Sequence, residues 1–335
     1  WVVEKLWLLL LFWLAGIGAS RLPFLMGVGR YYAGVFYAIN PFVYSRFIAG
    51  QWGLLGAYAI MPFALTSFLD LLEQPNHRNA IKTALLATLT GFFQIHGLGL
   101  LILLFGFIYV CRCITSVRSA RRSLAAITLT VAVFLAINLF WILRYASSTG
   151  LVFDSMNIGD LTFFGPSSPQ DVISLRGFWL AHAFLDVADL VPLWWVSFIP
   201  VLYLAVDGAQ RMLTNNSLRW LGLGLCAVGI LSMILAAGPV IPLVKPIFLW
   251  TWDHVPPYRA FRDSHKFLLL LALSYTYLGA YSLQEISKAI WSSSAFVRRL
   301  LLLGITLVFV GIITYGSPIF GTWGQLKVTE FPEDW

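Results

Sequence analysis

Apolar stretches long enough to cross a bilayer recur along this chain and leave little sequence between them. They cover residues 6–20, 31–45, 53–69, 80–94, 97–111, 123–146, 191–206, 219–238, 266–284 and 299–316. Bilayer hydrocarbon is about 30 Å thick, so a crossing helix needs roughly 20 mostly apolar residues. Lipid cannot satisfy a bare peptide group, so such blocks fold as helices. The chain is 59% hydrophobic and 11% charged, far more apolar than a soluble core of this length requires. The expected fold is all-α, a polytopic transmembrane helical bundle of nine or ten spans. Blocks 31–45, 80–94 and 97–111 are short, because fifteen helical residues rise only about 22 Å. Arg30 and Arg46 bracket the first of these and can snorkel. The string Gln94-Ile95-His96-Gly97 suits a hairpin tip between the other two, with one long tilted helix as the alternative.

Charge placement then orients the bundle. With ten spans, one side collects Arg21, Arg30, Arg78, Lys82, Arg112, Arg118, Arg121, Arg122, Arg211, Arg219, Lys288, Arg298 and Arg299 in short turns. The remaining Lys and Arg residues are spread over longer segments on the opposite side. By the positive-inside bias the first side is cytoplasmic, so the long segments and both chain ends lie outside. This places the protein in the cell (plasma) membrane as a multi-pass protein with long outer loops. The same bias accounts for a pI near 9.4 without a nucleic-acid partner. Cys111, Cys113 and Cys226 lie in or beside apolar blocks, and a C-x-C pair lacks zinc-site spacing. The chain starts at Trp1 rather than Met and ends in Glu330-Phe331-Pro332-Glu333-Asp334-Trp335. It reads as an internal fragment, with residues 1–316 a transmembrane domain truncated upstream and 317–335 the start of an extracytoplasmic segment.

Two outer segments, 147–190 and 239–265, combine aromatics with Asp, Pro and Arg. That content suits extracytoplasmic interfacial helices roofing an outward cleft better than solvated linkers. The densest polar string is Tyr258-Arg259-Ala260-Phe261-Arg262-Asp263-Ser264-His265-Lys266-Phe267. At helical spacing Arg262 and Lys266 share a face and Arg259 lies one turn earlier. Three cations there suit a phosphate, to which Arg offers a two-pronged contact. Headgroup anchoring with a local Arg262–Asp263 balance is the plainer alternative. A second string, Asn40-Pro41-Phe42-Val43-Tyr44-Ser45-Arg46, breaks a helix at Pro41 and brings Arg46 to the same boundary. Asp154, Asp160, Asp171, Asp253 and Asp263 are eligible general bases, and each also suits a loop or cap role. No Walker loop, dinucleotide fingerprint, zinc-protease motif or Gly-x-Ser-x-Gly elbow occurs.

These strings, with Gly50-Gln51 and the closing Phe331-Pro332-Glu333-Asp334-Trp335, resemble large prokaryotic membrane proteins of the GT-C glycosyltransferase superfamily, chiefly YfhO-like and arabinofuranosyltransferase-like proteins. The resemblance implies that residues 1–316 form a GT-C-like domain. It also implies transfer of a sugar from a polyprenyl-phosphate donor to a glycan, lipid or protein acceptor outside the membrane. That superfamily usually carries its acidic catalytic residue in the first outer loop, which would precede Trp1. Asp253 and Asp263 remain the weaker candidates within the chain. Arg259, Arg262 and Lys266, with Arg46, match a donor-phosphate patch. A divalent metal is compatible with that chemistry, although no ligand set is visible. Two other readings stay open: a transporter or flippase of lipid-linked sugars, and a non-catalytic scaffold for cell-envelope assembly.

Overall fold

The computed structural model describes residues 2–147, 159, 163–165, 168–179, 189, 193–238, 241–291 and 294–316. Every regular element among the described residues is helical. Seven helices are long and apolar enough to cross a membrane. They are α1 (Val2–Ser20), α4 (Trp52–Glu73), α6 (Ile95–Thr115), α7 (Val117–Ala146), α10 (Arg219–Ala237), α12 (Leu268–Trp291) and α13 (Ala295–Gly316). This is the architecture of a multi-pass membrane protein. The expected count of nine or ten is not reached by length and apolarity. The blocks that fall short form α2 (Gly27–Ala38) with α3 (Pro41–Ile48), α5 (His77–Phe93) and α9 (Trp194–Thr214).

Block 31–45 is not one helix. Pro41 has no N–H to continue the ladder, and Asn40 turns extended at φ −154°. The Asn40 side chain then satisfies the severed ends. It accepts from Val43 N–H at 3.2 Å and donates to the carbonyls of Phe36 and Tyr37. Tyr58 of α4 completes the joint. Its ring stacks on Tyr37 at 3.9 Å, and each hydroxyl donates to the other residue's carbonyl. The break therefore costs few unsatisfied groups although it is fully buried.

The hairpin reading of Gln94 holds. Gln94 is extended (φ −161°) and separates α5 from α6. Phe93 packs on Gly53 and Gly56 at the start of α4, whereas Arg112 near the end of α6 pairs with Glu73 at the end of α4 at 2.9 Å. The chain thus reverses at Gln94, and the bundle has two distinct ends. One end carries the Glu73–Arg112 pair, the Arg112 guanidinium over Trp220 at 4.3 Å, and Met26 N–H bonded to Gln284. The other end carries Arg46, Gln94 and the segment before α12.

Helix α12 is the axis, with its whole apolar window buried. Small residues let its neighbours approach. A Cβ on Gly208 of α9 would fall 1.8 Å from the Leu278 carbonyl oxygen, and one on Gly29 of α2 would fall 2.6 Å from that of Ala280. Such backbone contact is how membrane helices gain packing where the surrounding lipid is as apolar as their side chains. Helices α7 and α13 instead turn apolar side chains outward, among them Phe140, Leu143, Leu303 and Leu307.

Candidate functional site

The two sequence strings meet at the end of the bundle. Helix α3 projects Arg46 into the segment before α12, where it is 0% exposed. Its guanidinium grips Asp263 with both terminal nitrogens, Nη1 to Oδ2 at 2.6 Å and Nη2 to Oδ1 at 3.1 Å. Nη1 also donates to Gln51 Oε1 at 2.6 Å, and Nη2 lies 2.9 Å from His265 Nδ1. The Phe178 ring covers the guanidinium at 4.3 Å, and Phe42 stacks on His265 at 5.6 Å. Burial alone would push the Asp263 carboxyl up. The adjacent Arg46 charge and hydrogen bonds outweigh that and hold it below the usual carboxylate range.

A third element closes over this pair. Ser168 caps the short helix α8 (Pro169–Ile173) by accepting from Asp171 N–H. Asp171 pairs with Arg176 at 2.9 Å, and the Arg176 guanidinium lies 3.9 Å over Trp194. Asp171 therefore serves a local ion pair. Leu175 sits at φ 60° and Gly177 at φ 83°, so the chain reverses tightly before Phe178. Tyr275 and Tyr315 fix the segment by donating to the carbonyls of Ile173 and Ser174.

The cation string is not an α-helix, which corrects the spacing argument. Pro256–Phe261 and Ser264–Phe267 are separate 3-10 turns interrupted at Arg262 and Asp263. Nor do Arg262 and Asp263 balance each other. Asp263 belongs to Arg46, and the Arg262 guanidinium rests 4.8 Å over Phe164. Arg259 Nε donates to the Trp252 carbonyl at 3.0 Å. Lys266 is half-buried within electrostatic reach of Asp263, Arg46 and Arg262, and its amine has no hydrogen-bond partner among the described residues. His96 at the start of α6 braces the first turn, with Nε2 2.7 Å from the Ala260 carbonyl and Nδ1 2.9 Å from Gln94 Nε2. These partners select the neutral tautomer that donates through Nε2.

The candidates therefore separate into two groups. Arg46 and Asp263 neutralise each other in the interior, where neither has a free face for a ligand. Arg259, Arg262 and Lys266 form no ion pair among the described residues. Asp253 is exposed near the end of helix α11 (Lys245–His254) and touches neither group. Asp154 and Asp160 lie outside the described residues. The segments 147–190 and 239–265 do make contact among the described residues, through Phe164 with Arg262 and Phe178 with His265 at 5.5 Å. Sequence reasoning gave no partner role to Gln51, His265, Phe178 or His96, although Gln51, His265 and His96 stand within the quoted strings. A small apolar hollow lies elsewhere, between α1, α2, α3 and α4. It is lined by Leu11, Phe12, Val43 and Leu55 among others and by none of the candidate cations. Among the described residues no three His, Cys, Asp or Glu side chains converge as a metal site. Comparison of the chain with protein-family profiles, curated proteins and solved structures finds no match.

Proposed function

We propose that this chain is the membrane part of a glycosyltransferase that takes a sugar from a polyprenyl-phosphate donor and passes it to a glycan, lipid or protein acceptor. The bundle crosses the plasma membrane ten times, with α2–α3, α5 and α9 as the shorter passes. The basic turns face the cytoplasm, and the Arg46 end faces outward with α11 at the membrane interface. One observation carries the reading: Lys266 and Arg262 sit at that end and form no ion pair among the described residues, while the neighbouring Arg46 is paired with Asp263. An anion is the natural complement. Cations fixed beside the donor phosphate stabilise the charge that builds there as the sugar departs. Asp263 is a poor general base, because its carboxylate is engaged on both oxygens and held below its ordinary range.

Transfer from a polyprenyl-phosphate sugar by the full-length protein tests the reading. Arg262→Ala should lower kcat/KM about 10- to 100-fold, the equivalent of one charge-assisted contact of roughly 1.5–3 kcal/mol. Arg262→Lys should restore part of it, since Lys lacks the planar fork. Full activity in a folded Arg262→Ala, Lys266→Ala double variant would remove the site. A transporter or flippase of lipid-linked sugars draws support from one feature: two interrupted elements meet at a buried charge pair, as discontinuous helices do in transporters. Movement of the lipid-linked sugar across proteoliposomes without transfer would select that reading.

A further inference from the structure

Helix α11 carries apolar side chains on two opposite faces, and among the described residues only one face is packed against protein. Phe248 and Trp252, one turn apart, are each 3% exposed and form a small core with Leu235, Val244 and Tyr258. On the other face Leu243, Ile247 and Trp250 follow at intervals of four and three residues and are 86%, 63% and 58% exposed. Leu243 belongs to the same run, because the turn already begins where Lys245 N–H donates to the Ile241 carbonyl. The Trp250 ring stacks on His254 at 4.7 Å and 12°, which carries the stripe a further turn. A ten-residue helix is too short to cross the hydrocarbon, so this face does not belong to a span.

Its position argues for what covers it. The buried face packs on Leu235 near the end of α10, next to Ile234, which with Ile230 one turn earlier is exposed on that spanning helix. The stripe thus sits at the end of a span whose own surface there is apolar and exposed. Its make-up, aliphatic side chains with a Trp–His pair and a Lys at the helix start, is that of a helix lying at a lipid–water boundary. We propose that the Leu243–Ile247–Trp250 face of α11 docks into the interfacial layer of the bilayer, so that the helix lies flat beside the turn bearing Arg262 and Lys266. That depth would admit an anion carried by a lipid and diffusing in the membrane plane. The inference rests on the membrane-spanning reading of the bundle and not on phosphate binding.

A nitroxide at position 247 tests it, introduced by Ile247→Cys in a full chain whose native cysteines are replaced by Ser. The protein is reconstituted in phosphatidylcholine–phosphatidylglycerol vesicles. Collision with oxygen relative to a water-soluble nickel chelate should be several-fold higher at 247 than at the Asp253→Cys position. Nickel-dominated collision at 247 would overturn the proposal, and so would shielding from both reagents, which marks a protein partner or a second copy. A label at Leu135→Cys on α7 separates the two levels. If it too reads as aqueous, the membrane reading fails; if only 247 does, this inference alone fails. Should the cysteine-free chain not fold, the native protein gives the same answer. The fluorescence removed by Trp250→Phe should be quenched by brominated lipid chains and spared by iodide, and the reverse result refutes the docking.

Discussion

Arg46 and Asp263 show how far a buried charge depends on its partner. Removing one member leaves the other uncompensated in the interior, which typically costs about 3–5 kcal/mol. Asp263→Asn should therefore lower the melting temperature in detergent or nanodiscs far more than Lys266→Ala, whose amine has no hydrogen-bond partner among the described residues. Equal shifts for the two would mean that the pair is not a structural centre. The pH dependence follows from the depressed Asp263 carboxyl. A group whose folded pKa is lowered contributes fully above its unfolded value, about 3.9 for Asp, and loses the contribution as pH falls through the folded value. The stability gap between the native chain and Asp263→Asn should thus stay flat from neutral to mildly acidic pH and close only in strong acid. A gap already closing between pH 7 and about pH 5 would contradict the assignment.

Among the elements, the α2–α3 joint was legible in outline, because Asn40-Pro41 announces a break with a residue able to cap it. Its cost was not legible, since the relief comes from Tyr58, eighteen residues away on another helix. Asn40→Ala should destabilise the chain by about 1–3 kcal/mol, as buried groups lose their partner, and Tyr58→Phe should cost part of that. Thermal unfolding of both variants checks this, and a neutral Asn40→Ala would show the joint is held otherwise. The segment before α12 was misread for a related reason. Arg259, Arg262 and Lys266 have helical spacing in sequence, but Asp263 is drawn to Arg46 and the chain breaks into two 3-10 turns around it. A contact between residues 217 positions apart overrides local periodicity, and a single sequence does not reveal it.

For the whole molecule, hydropathy and basic turns predicted a helical membrane bundle, and seven helices meet that description. The central place of α12 was not readable, because its Ser, Thr, Tyr and Gln residues lower its apolarity while making it the most enclosed helix. Its packing makes a sharp prediction. Gly208→Val would drive a side chain into the Leu278 backbone and should cost at least about 1–3 kcal/mol by overpacking, visible as loss of folded protein on size-exclusion chromatography. The same change at Gly304, which has nothing within 4 Å, should be tolerated. The central claim is that Arg262 and Lys266, which form no ion pair among the described residues, stand at the end of the bundle opposite the basic turns, an end that the proposed function puts on the far face of the membrane. Single cysteines at Arg121 and Arg262, probed in sealed cells with a membrane-impermeant thiol reagent, test it most directly. The account predicts labelling at 262 from outside and at 121 only after permeabilisation, whereas labelling of both from the same side would contradict it.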